Sequence, residues 1–134
     1  MYFAINFIIY SLYCQNSSAF RYVAGRFTWQ RANEYCTSIN GRLAVIRNQQ
    51  QQDQVNQAIG NNWAWIGLSK NGGSWQWVDG TAMQLGYWNA WTNGQPSSRM
   101  SNQCVYSKGG KWFESGCNLW QNAVCELLGN YGKL

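Results

Sequence analysis

The stretch Trp63-Ala64-Trp65-Ile66-Gly67-Leu68 is an apolar run of strand length, and the chain changes character around it. Downstream, from Ser69 to Asn102, Asn, Gly and Ser turn signals alternate with Trp75, Trp77, Tyr87, Trp88 and Trp91. A loop region of that length inside one domain is functional or stapled down. Three short strands are predicted beyond it, at Gln103–Ser107, Lys111–Glu114 and Asn122–Leu127. Upstream, Phe20–Ala24 reads as a strand ended by Gly25. Thr28 is placed to cap a helix whose Ala32, Tyr35, Cys36 and Ile39 recur at i, i+3, i+4 and i+7, and Asn40-Gly41 stops it. Leu43–Ile46 is a brief apolar strand. Asn48 then caps a second helix through the glutamine run, with Val55, Ala58 and Ile59 as its buried face and Gly60 at its end. No internal repeat is present.

Composition narrows the function. The chain has 134 residues, length for one core. Histidine is absent, which removes imidazole bases, Ser-His-Asp triads and His metal ligands. The ten Lys and Arg against five Asp and Glu give +5, spread from Arg21 to Lys133 without a dense run. That distribution argues against a nucleic-acid binder and favours anionic over cationic partners. Five scattered acids offer no facing pair for glycoside hydrolysis, so no enzymatic activity is expected.

The first twenty residues carry no charged side chain, and the apolar stretch from Tyr2 to Cys14 is too short to span a bilayer. Residues 1–19 read as a secretory leader with a small polar exit at Ser17, Ser18 and Ala19, the alternative being an ordinary first strand. The sequon Asn16-Ser17-Ser18 sits at or before the cleavage point and carries little weight. Cys14 leaves with the leader. Cys36, Cys104, Cys117 and Cys125 then form an even set suited to disulfides in an exported domain, with three pairings open. Zinc fits poorly, because even the closest pair, Cys117 and Cys125, lacks the tight ligand spacing.

The order of strand, two helices, aromatic loop region and cysteine-bearing strands resembles the C-type lectin-like domain in its short form. The matching residues are Trp65-Ile66-Gly67-Leu68, Trp77-Val78-Asp79-Gly80-Thr81, Trp91 through Gly94-Gln95-Pro96, then Cys104, Trp112, Cys117 and Cys125-Glu126. They cover 20–128 and leave 129–134 as a tail. The resemblance implies an α+β fold with two helices, small antiparallel sheets, a long loop region and two disulfides, Cys36–Cys125 and Cys104–Cys117. It also implies that Trp65, Trp77 and Trp91 pack in the core, while Trp88 and Trp112 lie nearer the binding surface, Trp112 in a largely structural role and Trp88 either as a platform for a sugar ring or as part of the core.

Many such domains bind sugars through calcium held by a Glu-Pro-Asn or Gln-Pro-Asp loop, a downstream Glu and a Trp-Asn-Asp motif, with the proline bond cis. The aligned positions here are Gln95, Ser97, Asn102, Phe113 and Glu114. Only Glu114 is charged, Phe113 has no side-chain oxygen, and calcium wants six to eight oxygens. The expectation is a degenerate site with no metal and no cofactor, in which Gln95, Ser97, Asn102, Glu114 and Trp88 contact the ligand. The chain is thus expected to be a secreted module recognising a glycan or glycoprotein without calcium. Arg99, Lys108 and Lys111 extend that expectation to acidic glycans, although ordinary surfaces carry such cations too. The alternatives are a structural or protein-interaction module that binds no sugar, and a weak calcium-dependent lectin of galactose type.

Overall fold

The computed structural model describes residues 19–84, 86–101 and 103–129. The leader up to residue 18, Cys14, the sequon, Asn102 and the tail from residue 130 lie outside them. The elements are β1 (Phe20–Phe27), α1 (Trp29–Ser38), β2 (Gly41–Leu43), α2 (Gln49–Ile59), β3 (Ala64–Asn71), β4 (Ser74–Trp77), β5 (Cys104–Lys108), β6 (Lys111–Ser115) and β7 (Gln121–Leu127). This is the expected α+β architecture. The strands form one network in the order β1-β7-β3-β5-β6, with β2 on β7 and β4 on β3. All pairings are antiparallel except a short parallel contact of β3 with β7 at Ala64–Asn122 and Trp65–Ala123, which joins the two halves.

Both helix caps form as the sequence indicates. Thr28 accepts from the Arg31 N–H at 3.2 Å and Asn48 from the Gln51 N–H at 2.8 Å, each satisfying a donor the first turn leaves open. β1 differs from expectation by running through Gly25 to Phe27. The pairing with β7 shifts register between Val23 and Phe27, and the Gly25 N–H bonds the Asn122 side chain at 3.0 Å. A Cβ on Gly25 would lie 2.4 Å from the Phe27 ring, so glycine there admits the ring rather than ending the strand. The strand expected at Leu43–Ile46 forms earlier, at Gly41–Leu43, while Ala44, Val45 and Ile46 continue from it as buried chain, with Ala44 N–H donating to Val124 O at 3.0 Å.

Two cores explain why β3 is apolar without alternation. Ile66 and Leu68 belong to a cluster with Val55, Ile59, Trp77, Val105 and Trp112, while Trp65 points to the other side, with Ala32, Leu43 and the Cys36 and Cys125 sulfurs. A strand covered on both faces reads as a continuous hydrophobic run. Between them sits Gly67, whose N–H donates to Ala44 O at 2.8 Å and whose carbonyl accepts from Val78 at 2.8 Å. A Cβ at Gly67 would stand 2.7 Å from the Leu43 carbonyl oxygen, a backbone atom held by β7. Gly67→Ala is therefore expected to cost about 1–3 kcal/mol through backbone displacement, read as a lowered Tm. A variant melting with the parent would show that the neighbouring segment yields freely.

The disulfides are Cys36–Cys125, spanning 89 positions, and Cys104–Cys117, spanning 13. The first ties the last turn of α1 to β7. The second ties the start of β5 to the turn after β6.

Candidate functional site

The segment from Ala90 to Ser97 is laid along β6 by backbone bonds. Trp112 N–H donates to Ala90 O at 2.8 Å, Thr92 N–H to Trp112 O at 3.1 Å, and Gln95 N–H to Thr92 O at 3.1 Å. Gly94 takes φ of 79° in that turn, and the Gln95–Pro96 bond is cis. Three of the anticipated residues consequently meet. The Ser97 hydroxyl donates to Glu114 Oε2 at 2.7 Å, the Ser97 N–H donates to Glu114 Oε1, and the Glu114 N–H donates to Gln95 Oε1 at 2.6 Å. Arg99 N–H closes on the Ser97 oxygen at 3.3 Å. Glu114 is only 8% exposed, so these bonds replace the hydration that its carboxylate loses.

This donor set does not fit calcium. Both oxygens of its one carboxylate already accept from Ser97, and the Gln95 amide oxygen accepts from the backbone of Glu114. Phe113 lies on the opposite face of β6, stacked on Tyr106 with centroids 5.3 Å apart, as strand alternation requires. Among the described residues no three His, Cys, Asp or Glu side chains gather into a metal-binding group.

Trp88 is not part of that constellation. It is half-buried, edge-on to Trp112 at 5.7 Å, and lines a separate groove of about 730 Å³ with Ile46, Trp77, Met83 and Tyr87. Trp112 itself is fully buried rather than close to the surface, with the rings of Trp77, Trp88 and Trp91 edge-on to it. Trp65 and Trp77 are buried, and Trp91 is partly so. At the rim of the same groove Arg47 pairs with Asp79 and donates to the Thr81 hydroxyl at 2.6 Å. Burial opposes ionisation of Asp79, but hydrogen bonds from Thr81 and Arg47 prevail and lower its pKa to about 2. It stays charged and holds the Val78–Thr81 turn against Arg47 and, at 3.9 Å, Arg42.

The residue that sequence reasoning missed is Gln52. It is fully buried inside the glutamine run, accepting from Trp112 Nε1 at 2.8 Å and donating to Ser107 Oγ at 3.1 Å and Asn56 Oδ1 at 2.9 Å. Its spacing from Val55 and Ile59, at i, i+3 and i+7, carried the signal.

The family described as Lectin C-type domain matches residues 26–127. The chain is 33% identical over 106 residues to the human C-type lectin domain family 10 member A, covering 74% of this chain and 33% of that protein. It is 29% identical over 103 residues to a CD209 antigen from Symphalangus syndactylus, covering 74% and 27%. It therefore spans about a third or less of these relatives. Among solved structures, human lithostathine aligns with a TM-score of 0.70 at 28% identity, covering 81% of each chain. A calcium-independent type II antifreeze protein aligns with a TM-score of 0.70 at 26% identity, covering 79% of this chain and 82% of that one. The sheet network, the two disulfides, the cis Gln95–Pro96 loop beside β6 and the extent of these matches agree: the chain belongs to the C-type lectin domain family.

Proposed function

We propose that this chain is an exported recognition domain that binds a glycan or glycoprotein without calcium, and that it performs no catalysis. The observation carrying this reading is the mutual saturation of Glu114, Ser97 and Gln95, which gives the loop a protein-made fastening where relatives of this fold use a cation. The loop retains polar groups for a ligand: the Gln95 amide nitrogen has no hydrogen-bond partner among the described residues, and Asn93 and Arg99 lie in the same loop. Asn102, outside the described residues, completes the proposed contact set, from which Trp88, on its separate groove, drops out. Two disulfides favour an oxidising compartment. No helix among the described residues is long and apolar enough to cross a membrane.

A glycan array probed in parallel with millimolar calcium and with EDTA tests this directly. Expected are the same bound glycans in both, and one Tm in both solutions. A Tm rise with calcium, or glycans captured only with it, would refute the proposal. A blank array would favour the second reading, a module that contacts protein or another surface; the likeness to a calcium-independent antifreeze protein supports keeping it.

A further inference from the structure

The outer face of the β5–β6 hairpin, opposite Glu114 and the loop, carries a second groove of about 550 Å³. Asn61, Asn62 and Trp63 come to it from the α2–β3 connection, Tyr106 from β5, Trp120 from just before β7 and Gln121 from its first position. Trp63 and Trp120 are 46% and 62% exposed, unusual for rings of that size. Trp63 stacks on Tyr106 at 5.8 Å, and Tyr106 stacks on Phe113 at 5.3 Å, so a ladder of three rings backs the groove. Each exposed indole also holds a cation: Lys108 Nζ is 4.2 Å from the Trp63 ring and the Arg26 guanidinium 4.4 Å from the Trp120 ring.

Those cations lack carboxylate partners among the described residues. All five acids of the chain are engaged elsewhere: Glu34 with Arg31, Asp53 with Gln49, Asp79 with Arg47, Glu114 with Ser97 and Glu126 with Arg42. No acid lines the groove. Its amide groups are only partly used: the Gln121 side-chain oxygen is buried without a hydrogen-bond partner, and Asn61 makes no side-chain hydrogen bond with the described residues. Flat apolar rings, free amides and uncompensated cations side by side match one ligand chemistry. A sugar ring presents a C–H face and hydroxyls, and an acidic one adds a charge.

We propose that this groove binds an acidic polysaccharide, with Arg26 and Lys108 on its sulfate or carboxylate groups and Trp120 beneath a sugar ring. The site is independent of the loop described above and does not rest on its calcium independence. The test is titration of the folded protein with dextran sulfate, neutral dextran, polyglutamate and a single-stranded oligonucleotide at about 0.15 M salt. Dextran sulfate is expected to bind, neutral dextran is not, and polyglutamate and the oligonucleotide are expected to bind more weakly. The double variant Arg26→Gln/Lys108→Gln should lose about tenfold or more of the dextran sulfate affinity. The charge-matched Arg21→Gln/Lys70→Gln should change it little, and Trp120→Ala should weaken dextran sulfate but leave polyglutamate unaltered. Thermal melts of each variant establish that it is folded. Equal loss in the two double variants would overturn the proposal, as a mere net-charge effect. So would polyglutamate or the oligonucleotide binding as tightly as dextran sulfate, an unaffected Trp120→Ala, or no dextran sulfate binding.

Discussion

Gln52→Ala is expected to lower stability by about 3–5 kcal/mol, a large share of what a domain of this size possesses. The side chain is fully buried and joins α2 to both strands of the β5–β6 hairpin, through Trp112 on β6 and Ser107 on β5. Truncation leaves the Trp112 indole N–H without an acceptor, worth about 1–3 kcal/mol, and opens a cavity costing a further 2 kcal/mol or so. Gln52→Leu separates the two contributions. It fills the space and still orphans the indole, so it should cost only the first part. Urea denaturation at neutral pH measures both. Trp112 is the ring against which Trp77, Trp88 and Trp91 pack, so tryptophan fluorescence should also change in the alanine variant. A leucine variant as stable as the parent would show that the polar knot contributes nothing net.

The second large effect concerns the bridges. Cys36→Ala/Cys125→Ala is expected to lose about 4–5 kcal/mol and Cys104→Ala/Cys117→Ala about 3, because the entropy a crosslink removes from the unfolded chain grows with the loop it closes. The separations of 89 and 13 positions set that order. The long bridge also sits in the second core, where Cys36 and Cys125 are fully buried, so its removal opens space as well. Urea melts of the two double variants decide it. A short-bridge variant less stable than the long-bridge one would contradict the loop-length account. Hydrogen exchange should show the short-bridge loss concentrated in β5 and β6.

Much of the architecture was legible in the sequence. Thr28 and Asn48 announced two helices, and both cap as read. The apolar run at Trp63–Leu68 announced a strand, which β3 is from Ala64 on; that both its faces are covered emerged only from the packing. β4 was hidden, because Ser74–Trp77 lies among turn residues and its aromatic-polar alternation is only four residues long. Gly25 misled for a related reason: glycine usually marks an ending, but here it accommodates the ring of Phe27.

The candidate site was legible in composition and not in geometry. Counting oxygens at Gln95, Ser97, Asn102, Phe113 and Glu114 gave the expectation of a donor set poor for calcium. It could not show that Ser97 takes both oxygens of Glu114, nor that Phe113 stacks away from the loop. Trp88 and Gln95 looked like parts of one surface and lie in different constellations.

Caps, helix stripes and the apolar run of β3 depend on residues within a few positions of each other, and the amino-acid order alone determined them. The fastening of Ser97 to Glu114, the burial of Gln52 beneath Trp112, and the meeting of Trp63 with Tyr106 and Trp120 across one groove join residues 17 to 60 positions apart. Those were decided only by strand register and by how the long loop is laid along β6, because periodicity places a side chain on a face but does not say what stands opposite it.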